Sequence, residues 1–279
     1  MDVEHFEALD QESSRVTPDE FAVLRRRLVD SDEYVERLDP RQVERVTGRR
    51  DLALGYGEVL QPLLDHLYYV LDLDSTDAFI DIGSGVGNAV IYMAARAGTR
   101  SVGFEIVPAL HEIAVRNAIS MRASIENMKK TMGSMMFIPF DVLKFNLFTA
   151  NIGAYMKAVD GKVVVFINNV LFRDVLTKNM VRRLLQQRIF STGDRLVLMK
   201  PLLWTRVIDD QDIFDRVTYQ QWHTSPNDSV SWTDKPQYPI IYTIEDTPEN
   251  YSIFDRQRER ESYRYAIRRR PSSPAERPN

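Results

Sequence analysis

The sequence predicts an α/β chain, a Rossmann-like, doubly wound sheet of seven strands with a helical subdomain at its N-terminal side. Three observations carry this. Residues 78–105, AFIDIGSGVGNAVIYMAARAGTRSVGFE, read as an unbroken strand, glycine turn, helix and second strand. Short runs of β-formers then alternate with amphipathic helical stretches, as parallel strands joined by crossover helices do. The last two strand-like runs follow each other with no helix between them, which suits an antiparallel ending. On this reading 1–50 is an N-terminal helical subdomain, 51–254 the sheet domain and 255–279 a charged, partly basic tail.

Composition narrows the possibilities. A chain of 279 residues can bury a substantial core, and its net charge of −4 singles out no partner. With no cysteine, disulfides and thiolate metal sites are excluded. His5, His66, His111 and His223 show no ligand spacing, so no metal is predicted. No apolar run is long enough to span a bilayer, and the acidic start MDVEHFEALDQE is unlike a signal peptide, so a soluble intracellular protein is expected.

In chain order, Thr17-Pro18-Asp19-Glu20 is a helix start, with Thr17 as cap and Glu20 completing a capping box. Phe21, Leu24 and Leu28 fall on one face, while Arg25-Arg26-Arg27 reads as a solvated face. Gly55-Tyr56-Gly57-Glu58 reads either as a loop that closes over a ligand or as an ordinary loop that starts the next helix. Val59 to Leu71 is expected to be a helix that buries Leu60, Leu63, Leu64, Leu67 and Val70. Ala78 to Ile82 is a buried parallel strand; Gly83, Gly85 and Gly87 make the turn; Asn88 to Ala97 is a helix of small residues; Ser101 to Glu105 is the next strand. Pro108 to about Met132 reads as a long helix with Ile113, Ala114, Asn117, Met121 and Ile125 on one face. Met121, Met128, Met132, Met135 and Met136 read as core filler. Met135 to Pro139 is a third strand that leaves Phe140-Asp141 at its end. Gly161 to Phe172, GKVVVFINNVLF, is a buried strand that carries Asn168 and Asn169 to the carboxyl edge of the sheet. A helix over 174–188 and strands over 194–200, 217–222 and 238–244 complete the pattern.

The glycine turn carries chemistry. Its spacing is G-x-G-x-G rather than the G-x-G-x-x-G that faces a pyrophosphate, and Asp81 stands two residues before the first glycine. An acid there is unfavourable beside an anion and well suited to a cation. S-adenosylmethionine has an ammonium and a sulfonium, and a ribose diol that Glu105, at the end of the next strand, can accept from. The sequence therefore favours this methyl donor over a nicotinamide dinucleotide.

The turn DIGSGVGN, the loop GYGE, the pair INN and the loop SVSWTDKP occur in an arrangement that resembles the non-SET histone H3 lysine methyltransferases, the disruptor-of-telomeric-silencing (Dot1-type) family, over about residues 52–251. The resemblance implies a seven-stranded methyltransferase sheet and S-adenosylmethionine held by Asp81, Gly83, Ser84, Gly85, Asn88, Glu105 and Asp141. Tyr56, Gly57 and Glu58 would form a loop over it. It also implies Asn168 beside the methyl donor and the target amine, with Trp232 and Phe172 at the lysine channel. The implied substrate is a lysine on the nucleosome core surface of histone H3, in the nucleus, with weak DNA contacts through the basic tail. Three departures stand out. Asn88 replaces a glutamine, Val170 replaces a phenylalanine with Phe172 two positions on, and Pro239 and Ile240 fall where an aromatic pair is expected, with Tyr238 one residue early. They leave the number of methyls added open. The alternatives are an S-adenosylmethionine enzyme acting on a nucleic-acid base or small molecule, which would be expected to show Asn-Pro-Pro-aromatic where this chain has Asn168-Asn169-Val170, and an inactive chromatin-binding module, against which the intact Asp81, Glu105 and glycines argue.

Overall fold

The computed structural model describes residues 14–28, 57–139, 160–170, 172, 174–186, 190–202 and 217–245. In chain order the elements are α1 (Pro18–Arg25), α2 (Gln61–Leu71), β1 (Ala78–Ile82), α3 (Asn88–Arg96), β2 (Arg100–Glu105), α4 (Pro108–Asn127), β3 (Met135–Pro139), β4 (Val163–Ile167), α5 (Asp174–Gln186), β5 (Arg195–Leu198), β6 (Val217–Trp222) and β7 (Ile240–Ile244). Seven strands make one sheet in the order β3-β2-β1-β4-β5-β7-β6. The first five are parallel, and β7 runs antiparallel to both β5 and β6. This is the Rossmann-like α/β sheet that the sequence predicts.

Alternate residues of the strands face opposite layers. Ile80, Ile82, Val165 and Ile167 pack with Met180, Val181, Leu184 and Leu185 of α5. Phe79, Val164, Phe166 and Val197 pack with α1, α2 and α3 on the other face. Both faces are therefore apolar, as a doubly wound sheet requires. Strand order reverses between β1 and β4, and the crevice at such a reversal is where open α/β sheets bind ligands.

The capping box of α1 forms as its sequence dictates: Thr17 N donates to Glu20 Oε2 at 2.8 Å, and Glu20 N donates to Thr17 Oγ1 at 3.3 Å. Phe21, Leu24 and Leu28 are buried, and the Phe21 ring meets Tyr92 of α3 edge-on at 4.9 Å. This part of 1–50 thus shares one core with the sheet. The expected divisions at 50 and 254 fall outside the described residues.

Several expected bounds shift for identifiable reasons. Val59 bridges Val230, and Leu60 N donates to Ser229 O at 2.9 Å, so the helix expected from Val59 begins at Gln61. Its buried residues are Leu63, Leu64, Leu67 and Leu71, with Leu60 and Val70 only half-buried. The helix expected to reach Met132 ends at Asn127, because Lys129 adopts a left-handed φ of 57°. Met136 is 39% exposed on the edge strand β3, so it is no core filler, whereas Met121 is buried. Strand β4 keeps only the middle of the apolar run, and β5 is likewise shorter than the 194–200 expected. Strand β7 starts at Ile240 rather than Tyr238, since Pro239 offers the ladder no N–H.

Candidate active site

At the carboxyl ends of β1 and β2 the backbone folds back on itself. Gly83 N and Ser84 N both donate to Phe104 O, at 2.8 and 2.9 Å. Gly83, Gly85 and Gly87 take φ of 87°, 54° and 89°, which side chains rarely adopt. At Gly87 a Cβ would also lie 2.7 Å from the Phe137 ring. Glu105 braces this turn: Oε2 accepts from Gly85 N and Oε1 from Val107 N, each at 2.8 Å. Burial raises its pKa, and the backbone N–H groups of Val107, Gly85 and Ile106 oppose that rise.

Asp81 is 4% exposed, and its Oδ1 has no partner within the protein. Burial above all, and then the charge of Glu105, push its pKa up to about 8. A carboxyl so placed is stabilised in its ionised form by an incoming cation.

The turn opens onto a cavity. Asp81, Gly83, Ser84, Gly85, Asn88 and Ala89 line one side, Gly57, Glu58 and Val59 another, and Phe166 and Asn168 close it from β4. Four of these residues carry buried polar atoms without a protein partner: Asp81 Oδ1, Ser84 Oγ, Asn88 Oδ1 and Asn168 Oδ1. Each such atom costs about 1–3 kcal/mol unless something polar reaches it. Their convergence on one cavity marks a site for a ligand rich in hydrogen-bond donors.

The asparagine pair divides its labour. Asn169 is buried and exchanges two bonds with the backbone of Lys200, donating from Nδ2 to the carbonyl at 3.1 Å and accepting from the amide at Oδ1 at 2.8 Å. Its side chain thereby adds a rung between the ends of β4 and β5. Asn168, held next to that rung, keeps its carbonyl oxygen unpaired at the cavity.

Across the cavity, the segment 57–60 lies along 229–231. Glu58 N donates to Ser231 Oγ at 2.8 Å, and Ser231 N donates back to Glu58 O at 2.9 Å. Trp232 covers Gly57 so closely that a Cβ there would sit 2.3 Å from the indole. The Glu58 carboxylate accepts from Asn88 Nδ2 at 2.9 Å and from Arg25 at 3.2 Å through the same Oε2.

Of the residues expected at the site, Gly57, Glu58, Asp81, Gly83, Ser84, Gly85, Asn88 and Asn168 line one cavity. Glu105 stands at its strand end as expected, with its carboxylate on the turn backbone rather than among the cavity-lining groups. Half-buried Phe172 lies against the turn, 3.6 Å from where a Gly83 Cβ would be. Trp232 is at the rim, 36% exposed. Tyr56 and Asp141 lie outside the described residues. The sequence reading missed Val59, Ala89 and Phe166 as walls, Ser231 as a loop tie, and Arg25. Among the described residues no cluster of three or more His, Asp or Glu could hold a metal ion.

The sheet order, the acid-flanked glycine turn and the polar cavity at the reversal point define a Rossmann-like domain of the methyltransferase type. The chain belongs to the family described as "Histone methylation protein DOT1", whose sequence profile matches residues 52–244. Its relatives include the "Histone-lysine N-methyltransferase, H3 lysine-79 specific" of Eremothecium gossypii, 30% identical over 184 residues that make up 64% of this chain and 30% of that protein. The enzyme of the same name from Candida glabrata is 25% identical over 210 residues, 74% of this chain and 31% of the relative. The chain thus spans about a third of the length of these relatives. A solved structure of an RNA methyltransferase from Salinibacter ruber with S-adenosyl-L-homocysteine aligns over 69% of this chain and 97% of that one, at 20% identity and a TM-score of 0.43.

Proposed function

We propose that this chain is an S-adenosylmethionine-dependent protein-lysine N-methyltransferase that acts on histone H3 at the surface of the nucleosome core. The observation that carries the proposal is the sharing of one cavity by an unpaired buried acid, Asp81, and an unpaired buried amide oxygen, Asn168 Oδ1. The first suits the ammonium of the methyl donor, and the second suits an amine acceptor. The relatives named above are H3 lysine-79 specific by name, which supports the same substrate here.

The residues fit the cofactor. Asp81, Ser84 and Asn88 offer acceptors to its amino-acid end, and the glycine turn admits its backbone at close range. Glu105 braces that turn, and the remaining lone pairs of its carboxylate would accept from the ribose diol. Gly57 and Glu58 line the cavity and, with Tyr56, would form the covering loop, while Asp141 would accept from the adenine amine; for Tyr56 and Asp141 the support is the family resemblance alone. When bound, S-adenosylmethionine supplies an electrophilic methyl on its sulfonium.

The acceptor lysine must first lose a proton, and its free pKa of about 10.4 opposes that at neutral pH. Apolar walls, among them Trp232 and Phe172, disfavour the ammonium and lower that value. Among the described residues that line the cavity there is no histidine, and the glutamate there, Glu58, is engaged by Arg25 and Asn88, so rate would rest on alignment. Asn168 Oδ1 would accept an N–H of the neutral amine and so orient the nitrogen lone pair toward the methyl group. The basic segment of 255–279 adds weak phosphate contacts on the nucleosome, and a histone substrate places the protein in the nucleus.

The test is a labelled methyl donor offered in parallel with nucleosomes, free histones and naked DNA, followed by mapping of the modified residue. Label on a lysine of nucleosomal H3 is the expected result. Label only on DNA, or none with any substrate despite cofactor binding, overturns the reading.

A further inference from the structure

Arg25 belongs to α1, outside the residues 52–244 that the family profile matches, yet its guanidinium reaches the rim of the cavity. Its Nη2 donates to Glu58 Oε2 at 3.2 Å, and that same oxygen accepts from Asn88 Nδ2 at 2.9 Å. The side chains are 20% and 8% exposed for Arg25 and Glu58, so the pair is largely shielded from solvent.

A carboxylate can only accept hydrogen bonds. Glu58 therefore obliges Asn88 to turn its NH2 toward it and its carbonyl oxygen away. That oxygen is buried without a partner, on a residue that lines the cavity. Three side chains from three segments form one line, guanidinium to carboxylate to amide, ending in an acceptor. Without Glu58 the amide is free to reverse and present a donor. Without Arg25 the carboxylate loses the guanidinium that holds it in place, and the orientation it imposes on Asn88 loosens.

We infer that Arg25 is a positioning residue for the methyl donor, fixing the Asn88 carbonyl, through Glu58, as an acceptor for the ligand's ammonium. The ammonium has three N–H donors and needs several acceptors, and Asp81 Oδ1 and Asn88 Oδ1 line the same cavity unpaired. The N-terminal helix is thereby a working part of the cofactor site. This inference rests on the proposed function.

The test measures binding to the full chain by calorimetry with two probes: S-adenosylhomocysteine, which has the ammonium, and 5′-methylthioadenosine, which lacks the amino-acid part. Arg25→Ala should weaken the first about five- to tenfold, as loss of a charge-assisted chain does, and leave the second unchanged. Arg25→Lys should recover part of the loss. Because the residues act in series, Arg25→Ala combined with Asn88→Ala should bind S-adenosylhomocysteine no more weakly than Asn88→Ala alone. Equal weakening of both probes, no weakening of either, or additive losses in the double variant overturns the inference while leaving the proposed function standing. A parent protein that binds neither probe overturns both.

Discussion

Asp81 sets the pH behaviour of the site. Its pKa is raised from 3.8 to about 8 in the folded, ligand-free protein. For an acid shifted upward, the stabilising effect of the bound proton is complete below the unfolded value and is lost as pH rises toward the folded one. Asp81→Asn should therefore raise the melting temperature of the ligand-free protein relative to the parent at pH 8, and the gap should narrow toward pH 5. Equal melting curves across that range would show that Asp81 carries no buried charge. Binding follows the opposite course. A cation prefers the carboxylate, so parent affinity for S-adenosylmethionine should climb between pH 6 and 7.5, while Asp81→Asn binds weakly with a flat profile. Asn168 separates binding from chemistry. Asn168→Ala should leave cofactor affinity nearly intact and lower the methylation rate by about a hundredfold, as loss of positioning can. Asn168→Asp keeps the size but would hold the acceptor as an ammonium that cannot attack. A fully active aspartate variant on nucleosomes would remove Asn168 from the site.

Among the elements, the pairing of 57–60 with 229–231 matters most, because on the proposed reading it would join the cofactor side of the cavity to its substrate side. Gly57→Ala puts a carbon 2.3 Å from the Trp232 indole, so the ring has to leave its seat. The expected effect is a fall in kcat/KM on nucleosomes of about tenfold, with a much smaller change in cofactor affinity, since only the rim is disturbed; unchanged kinetics would mean that Trp232 does not wall the channel. Strands were the most legible elements. Ala78–Ile82, Met135–Pro139 and Val217–Trp222 carry their bounds in local β-formers and breakers. Helix ends were less so, because the start of α2 depends on a bridge to Val230, far along the chain. The asparagine pair shows the same limit. Two identical neighbours signal a polar strand end, but only the approach of Lys200 makes one a structural rung and frees the other.

At the scale of the whole molecule, the class of ligand was legible from one acid and three glycines, since backbone shape and charge are local properties. The role of Arg25 was not. It sits in a run of three arginines that reads as a solvated face, and its partner is 33 residues away. The charge of the tail is a property of the sequence too, with eight arginines against four acids over 255–279. Truncation after Phe254 should weaken nucleosome binding and flatten its dependence on salt, because fewer counterions are released, while cofactor affinity stays the same. Equal binding by both forms at several salt concentrations would exclude the tail as a contact.

The indole that covers Gly57 also makes the protein its own optical probe. Trp232 is one of three tryptophans, with Trp204 and Trp222, and 36% of its surface meets water at the mouth of the cavity. Because the ring lies against Gly57, which lines the cavity, a ligand that fills the cavity should change the water around it. In a Trp204→Phe, Trp222→Phe background the remaining emission should shift to the blue as S-adenosylhomocysteine saturates the site, giving a stopped-flow signal for ligand binding that needs no label and no turnover.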